Sequence, residues 1–250
     1  MSLVFIIGGL SVVPSHAAEL DALLQDAVRY ANTPEKHAAK LAARDELKAR
    51  MPDALRAGMD YAHGDNVMLN VLLMEWVEQL PSDIVVPVLI DYAGHERSET
   101  RRLALFFLGF HPAASNQADL IIGFLEDEEC RGATIRTLGK WKVRDAVPAI
   151  IAWLRDGKER VRVVSANALR DIGDPSAIPA LVAALDGPVF TVRNTAARAL
   201  VSFGEAAAGA LRDVPDDASP RAREMRRRCL ADIESASSPD STRTDRYFTP

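Results

Sequence analysis

The chain has few of the residues that mark several protein classes. Its 250 residues include two cysteines and 15 aromatic residues, and its formal net charge is −5. Two cysteines exclude a disulfide-stapled scaffold, and the mild acidity is unlike the strong basic excess of a dedicated nucleic-acid binder. Apolar residues make up 48 % of the chain and charged residues 26 %, which excludes disorder along most of its length. The length suits one large domain or two small ones.

The N-terminal apolar run is too short to cross a membrane. Residues 3–13, LVFIIGGLSVV, number 11, whereas a spanning helix needs about 20. Pro14 ends the run, and Ser15-His16-Ala17 has small residues at its first and third positions, which is typical of a secretory cleavage site. We predict a signal peptide over residues 1–17, a periplasmic or extracellular protein, and no transmembrane span after processing. The alternative is a buried first helix or strand.

Alanine is abundant, with 39 residues, and it is the best helix former. Three segments align, at 129–159, 160–190 and 191–215. Two residue sets recur in them at intervals of 31, namely Arg131, Arg162 and Arg193, and Leu138, Leu169 and Leu200. Each segment has the pattern of two helices joined by a turn. Because a two-helix unit cannot bury its apolar face alone, the units must stack into a solenoid.

The sequence VRVVSANALRDIGDPSAIPALVAAL, residues 161–185, resembles a short HEAT repeat of the phycobilin-lyase type. The features that carry the resemblance are Val161-Arg162, Ala166, Ala168-Leu169, Gly173-Asp174-Pro175 and Ala177-Ile178-Pro179-Ala180-Leu181. The resemblance implies an all-α fold, a right-handed α-α superhelix of about five HEAT-like repeats. It is nearly silent on activity, because the family is defined by packing.

The resemblance and the flanking composition together predict five segments. They are the signal peptide at 1–17, an N-terminal helical cap at 18–64, repeats at 65–215, a basic C-terminal capping helix at 216–234 and a disordered tail at 235–250. The cap is expected to contain helices over about 18–31, 35–50 and 53–62. The tail is rich in serine, threonine and proline, which is typical of disorder.

Three aromatic residues share one position in the predicted second helices. Tyr92, Phe124 and Trp153 each lie five residues after Pro87 or after its counterparts, Asp119 and Pro148. At about 100° per residue, this position lies about 110° from the centre of the core face. Second helices line the concave face of HEAT-like solenoids, so the resemblance implies that these rings form a partner-binding stripe. The alternative is that they fill grooves between neighbouring second helices.

Arginines form two further patterns. The ladder of Arg131, Arg162 and Arg193 is expected to pair with a carboxylate or a helix-end carbonyl of an adjacent repeat, with anion binding as the alternative. The candidate carboxylates are Asp145, Asp171 and Asp174. The cluster in the last helix comprises Arg221, Arg223, Arg226, Arg227 and Arg228. It could bind an anion, either nucleic acid or an anionic membrane, or it could be a solvated cap face.

Residues that could carry chemistry are sparse. Cys130 and Cys229 lie about three repeats apart, too far for an internal disulfide, and are expected to be buried. His95-Glu96 resembles the His-Glu pairs of HEAT-like iron hydroxylases that act on deoxyhypusine, but that family needs several such pairs. The chain has no other catalytic motif. We therefore predict no catalytic residue, no metal and no cofactor.

The predicted function is that of an exported, monomeric HEAT-repeat scaffold that binds a protein partner through its concave face without catalysis. One alternative is a lyase-like or chaperone-like helper of another protein. Another is nucleic-acid or anion binding through the arginine cluster, although HEAT-like DNA glycosylases need a basic groove over many repeats. A structural role in envelope assembly is a further possibility that the sequence does not separate from the first.

Overall fold

The computed structural model describes residues 16–29, 31–62, 67–213 and 218–237. The predicted signal peptide, apart from His16 and Ala17, lies outside these residues, as does the predicted tail beyond residue 237. The described part is helical and contains no strand, which confirms the all-α prediction. Its α-helices are α1 (His16–Val28), α2 (Pro34–Ala49), α3 (Asp53–Tyr61), α4 (Val67–Gln79), α5 (Ser82–Ala93), α6 (Ser98–Leu108), α7 (Ala118–Ile122), α8 (Arg131–Lys140), α9 (Val147–Asp156), α10 (Glu159–Ile172), α11 (Ile178–Ala184), α12 (Phe190–Phe203), α13 (Glu205–Arg212) and α14 (Pro220–Ser237).

The chain divides into two compact units, Met1–Val88 and Leu89–Pro250. In the first unit, α1 packs against α2, α3 and α4. The fully buried side chains include Leu47, Leu55, Leu72 and Trp76, so apolar burial holds these helices together. The three helices predicted over about 18–31, 35–50 and 53–62 are α1, α2 and α3.

Helix α2 begins where its sequence predicts a helix start. The Oγ1 of Thr33 accepts a hydrogen bond from the backbone N–H of Lys36 (3.3 Å). Pro34 is the first helical residue, where its missing N–H costs no hydrogen bond.

The second unit is a solenoid of stacked helix pairs. The first helices of the pairs, α6, α8, α10, α12 and α14, each pack on the next, and the second helices α9, α11 and α13 do the same. Leu138, Leu169 and Leu200, which recur in the sequence every 31 residues, are fully buried in α8, α10 and α12. The apolar repeat therefore forms a continuous core between neighbouring pairs.

The predicted turn between α10 and α11 is formed as expected. Gly173 has φ +71°, a left-handed conformation that glycine adopts without steric cost, and its N–H bonds the carbonyl of Leu169 (3.1 Å). The Oδ1 of Asp174 accepts from the N–H of Ser176 (2.9 Å), and Pro175 opens a short 3-10 helix. Similar 3-10 segments precede α7 and α9.

Helices α8 and α10 approach each other closely at Gly139. A Cβ added to Gly139 would lie 2.8 Å from both the Cα and the Cβ of Ala168. Thr137 and Trp141 link α8 to the preceding helix, because their side chains donate to the carbonyls of Leu105 (2.6 Å) and Leu108 (3.0 Å). Small residues and cross-helix hydrogen bonds thus set the spacing of the first helices.

Helix α14 extends to Ser237, so residues 235–237 of the predicted tail are helical. The side chain of Ser219 accepts from the backbone N–H of Ala222 (3.1 Å) just before the helix. In the part of the chain that the structure describes, no helix is long and apolar enough to span a membrane.

Candidate partner-binding surface

Five arginines on the first helices of the second unit bind main-chain carbonyls of the preceding helix–turn segment. Arg131 and Arg162 donate from Nε to the carbonyls of Leu125 (2.7 Å) and Leu154 (2.9 Å). Arg193 donates to the carbonyl of Pro188 (2.8 Å). The equivalent bonds at the two ends of the series are Arg101 to His95 (3.0 Å) and Glu96 (2.8 Å), and Arg226 to Asp213 (2.7 Å).

The bonds of Arg131 and Arg162 confirm one of the alternatives for the arginine pattern, the helix-end carbonyl, whereas Arg193 bonds carbonyls of the turn that follows α11. The last carbonyls of a helix have no partner within it, and a cation is favourable at that end. Asp171 pairs instead with its neighbour Arg170 (2.8 Å), and Asp174 caps its turn. Arg101 and Arg226 were not predicted as members, although they lie 30 residues before Arg131 and 33 after Arg193.

Trp153 is the best-defined member of the aromatic stripe. It lies on α9, is half-buried, and its ring contacts the guanidinium of Arg131 at 3.8 Å from Cζ to the ring centroid. The same guanidinium bonds the carbonyls of Leu125 and Glu126. Arg131 therefore holds the indole in one orientation while leaving part of it exposed.

The other two aromatic residues have different environments. Phe124 is half-buried and lies in the 3-10 segment Gly123–Leu125, where an angle of about 100° per residue no longer applies. Tyr92 is only 8 % exposed, and its ring stacks on that of His95 with centroids 5.7 Å apart. Tyr92 is thus too buried to act as an exposed anchor, and the predicted stripe is reduced to Phe124 and Trp153.

The exposed charges of α9, α11 and α13 lie at helix ends, at Arg155 and Asp156 on α9 and at Glu205 and Arg212 on α13, and the other exposed positions are small and uncharged. They include Pro148 on α9, Pro179 and Ala183 on α11, and Ala206 and Gly209 on α13. Ile151 and Ala152, next to Trp153, are half-buried. This surface offers a partner apolar contact and close approach, with few charges to desolvate.

The predicted arginine cluster in the last helix is not uniform. Arg226 is 7 % exposed and belongs to the carbonyl ladder, so its guanidinium is already bonded. Arg227 and Arg228 both donate to Glu224, and these hydrogen bonds lower the pKa of the Glu224 carboxyl. Arg221 and Arg223 are exposed. The charge that the cluster presents to solvent is therefore smaller than its sequence indicates.

Both cysteines are buried and free, as predicted. Burial, chiefly through desolvation, raises the pKa of Cys130 to about 11 and that of Cys229 to about 11. Next to Cys130, the guanidinium of Arg101 bonds Asp127 (2.7 Å) and lowers the pKa of that carboxyl. These thiols are protonated at neutral pH, which is unlike a nucleophilic cysteine.

His95 is used locally. Its Nδ1 accepts a hydrogen bond from the backbone N–H of Arg97 (3.1 Å), and its ring stacks on Tyr92. Across residues 16–29, 31–62, 67–213 and 218–237, no group of three potential ligands is arranged to hold a metal ion.

A comparison with protein families agrees with the repeat architecture. The family model described as HEAT repeats matches residues 118–201. One similar solved structure is an engineered protein with 15 % identity and a TM-score of 0.47, and the match covers 87 % of this chain and 97 % of that chain. Another is human deoxyhypusine hydroxylase in complex with glycerol, with 18 % identity and a TM-score of 0.32, and the match covers 87 % of this chain and 96 % of that chain. A search of curated proteins finds no match.

Proposed function

Because this chain contains HEAT repeats, we propose that it is an exported, non-catalytic scaffold that binds a protein partner through the face formed by the second helices of its repeats. Stacked helical repeats form extended surfaces that suit protein recognition. The partner would contact Trp153 and Phe124 and the small residues around them.

The half-buried indole of Trp153 carries the proposal. Tryptophan is enriched among the residues that dominate binding energy at interfaces. A side chain that is already fixed loses little conformational entropy on binding, and the Arg131 guanidinium fixes this one. The surrounding exposed positions on α9 and α11, Pro148, Pro179 and Ala183, can be covered without removing water from a charge.

Export is the second part of the proposal. The apolar run at 3–13 and the Ser15-His16-Ala17 pattern support cleavage after Ala17. The first buried residue described in α1 is Leu20, and His16 and Ala17 are exposed, so cleavage there removes no described core side chain. Mass spectrometry of the protein from its native host should give an N-terminus at Ala18. An intact N-terminus on the mature protein would contradict this part.

Partner binding is tested by comparing aromatic truncations on the two layers of the second unit. Trp153→Ala and Phe124→Ala remove half-buried rings near the second helices, whereas Phe106→Ala removes a half-buried ring from the first helix α6. The protein and its variants would be immobilised and crosslinked to native extract, and the captured partner quantified alongside thermal melting. We expect the first two variants to lose the partner by more than tenfold, equivalent to about 1.4 kcal/mol, and Phe106→Ala to retain it.

The melting temperatures distinguish a contact from a folding defect. The two alanine variants Trp153→Ala and Phe106→Ala are compared at similar melting temperatures. If both then lose the same amount of partner binding, the loss follows from reduced stability, and the second helices are not the binding face.

A further inference from the structure

The first unit has an apolar groove of its own. It is lined by residues of α1, α2 and α4 and has a volume of about 430 Å³. Its apolar lining comprises Val28, Ala31, Leu41 on α2 and Met68 on α4. Lys40 and Arg44 line the α2 side. We call this feature the α1–α2–α4 groove.

Exposed apolar side chains continue the groove onto the surface of α4. Val67 is 65 % exposed, Met68 45 % and Val71 53 %, while Leu41 on α2 is 48 % exposed. Residues 67, 68 and 71 lie on one face of α4 because helical neighbours are three and four positions apart. Contiguous exposed apolar surface of this kind, rimmed by polar residues, is typical of an interaction site.

A row of cations flanks the groove. Lys36, Lys40, Arg44 and Lys48 recur every fourth residue along α2. Arg44 and Lys48 share one carboxylate, that of Glu75 (3.2 and 3.7 Å), and Lys36 donates to the Oδ1 of Asn32 (3.2 Å). Among the described residues, no carboxylate lies within ion-pairing distance of Lys40. Within the described residues, Lys36 is not paired with a carboxylate either, so these two lysines are the cations of the row that remain available to a partner.

We propose that the α1–α2–α4 groove binds an amphipathic helix of a partner protein, with apolar side chains in the groove and carboxylates along its flank facing Lys36 and Lys40. A helix laid in an apolar groove is a common recognition mode, in which residues at i, i+3, i+4 and i+7 act as anchors. Complementary charge then fixes the orientation of the helix and selects against basic partners.

Charge and shape favour this occupant over three others. A second copy that docks groove to groove would bring the same cationic row against this one, and like charges repel. The chain's own apolar run at residues 3–13 contains no carboxylate to meet Lys40. A lipid surface would meet the exposed apolar residues of α4, but it has no side chain to enter the groove and contact Val28 and Ala31.

The test uses two synthetic helical peptides and the full chain. One fluorescein-labelled peptide has leucines at i, i+3, i+4 and i+7 with glutamates along one flank, and its twin has lysines in place of the glutamates. We expect the acidic peptide to bind in a fluorescence anisotropy titration and its twin to bind at least tenfold more weakly. Added salt should reduce the difference, because exposed charges are screened.

Charge reversal locates the site. In Lys40→Glu the attraction between residue 40 and the glutamates of the acidic peptide becomes a repulsion, and each is worth a few-fold in affinity. The acidic peptide should therefore bind about tenfold more weakly, and the basic twin should bind more tightly. Arg198→Glu changes the net charge by the same amount on exposed α12 surface and should leave both affinities unchanged. Leu41→Ala removes an exposed apolar side chain, so the helical circular dichroism and the melting temperature of the protein should stay unchanged. Its affinity for the acidic peptide should fall about threefold or more.

Each alternative occupant predicts a different result, and each would overturn the proposal. Equal affinity for the two peptides removes the charge argument, and an unchanged affinity in Lys40→Glu moves the site elsewhere. Binding to phosphatidylglycerol vesicles without binding to the acidic peptide indicates a membrane. Peptide binding that appears only after removal of residues 1–15 indicates that the chain's own segment occupies the groove. If sedimentation shows that the unmodified chain self-associates and that Leu41→Ala does not, a second copy of the chain occupies the groove.

Discussion

At the scale of single residues, the ladder arginines donate hydrogen bonds to carbonyls at helix ends and in the turns that follow them. Arg193 is the clearest case, since it is buried and donates to the carbonyls of Gly187 (2.7 Å) and Pro188 (2.8 Å). Carbonyls of a turn have no partner within a helix, and a charged donor forms a stronger bond than a neutral one. A methionine at this position would leave both carbonyls without the donor.

We predict that Arg193→Met lowers the free energy of unfolding by about 2 kcal/mol, the usual cost of losing hydrogen bonds from a charged group. Arg198 is exposed on the same helix, so Arg198→Met should change the stability by less than about 0.5 kcal/mol. Urea denaturation of both variants measures the difference. Equal effects of the two substitutions would show that the ladder bonds contribute nothing to stability.

The buried thiols predict a pH dependence. Burial raises the pKa of Cys130 and of Cys229 from 9.0 to about 11, so the folded state holds protons that the unfolded chain has released. This contribution to stability is complete below pH 9 and is lost as the pH rises towards 11. Urea denaturation at intervals across this range should show falling stability, with a shallower fall in the variant that carries Cys130→Ala and Cys229→Ala.

Thiol labelling provides the independent check. At pH 8 a disulfide reagent should modify neither cysteine of the folded protein, and both should react once urea is added, because the thiolate is the reactive form. Rapid labelling of the folded protein, or an unchanged slope in the double variant, would contradict the burial of these side chains.

The sequence predicts these residues to different extents. The 31-residue interval identifies Arg131, Arg162 and Arg193 as a series, and the structure supplies the partner that the interval could not, a main-chain carbonyl. Tyr92 fails as an exposed anchor because a helical wheel measures angle within one helix and not what covers it. Its cover includes His95, in the loop that follows α5.

At the scale of helices, the contact between α8 and α10 depends on the absence of a side chain. We predict that Gly139→Ala lowers stability by about 1–3 kcal/mol, because the new Cβ would lie 2.8 Å from the backbone of Ala168 and force the helices apart. Gly209→Ala on α13 is the control, since nothing lies within 4 Å of its added Cβ. That substitution should instead raise stability by about 0.5–1 kcal/mol through helix propensity.

Thermal unfolding of the two glycine variants decides the point. Opposite signs are expected, and stabilisation by both substitutions would mean that α8 and α10 have room at Gly139. The same measurement tests the idea that small residues allow close approach, since Ala168 faces Gly139 across this contact.

Helix positions follow from the sequence where its local signals are strong. Gly173-Asp174-Pro175 predicts its turn because each residue has a specific role in ending or starting a helix. The HEAT-repeat match at 118–201 confirms the resemblance inferred from residues 161–185. The end of α14 was predicted less well. Serines at 235 and 237 resemble a disordered tail by composition, yet α14 continues through them.

At the scale of the whole molecule, the charge distribution predicts weak affinity for polyanions. The chain has a net charge of −5, and in the arginine cluster Arg226 is buried while Arg227 and Arg228 bond Glu224. We expect the protein to elute early from a heparin column, with the fitted salt dependence corresponding to about two phosphate contacts at either basic site, Arg221 with Arg223 or Lys36 with Lys40. Retention to high salt that is lost on changing Arg221 and Arg223 to alanine would support nucleic-acid binding.

The stacked arrangement of the second unit also predicts how damage spreads through it. In a solenoid each repeat contacts only its neighbours, so a local defect should destabilise adjacent repeats most. Leu200 is fully buried in α12, and Leu200→Ala should cost about 2–5 kcal/mol. Hydrogen exchange should then accelerate in α10 to α14 and stay near its original rate in α6.

Leu105→Ala supplies the mirror-image control, because Leu105 is also fully buried but lies on α6. It should accelerate exchange in α6 and α8 and leave α13 and α14 protected. Uniform acceleration from α6 to α14 in both variants would show that these helices unfold as one cooperative block. In that case stability changes at Trp153 could not be separated from the rest of the unit. Graded exchange would instead let a partner-binding defect at α9 be measured while the distant repeats remain folded.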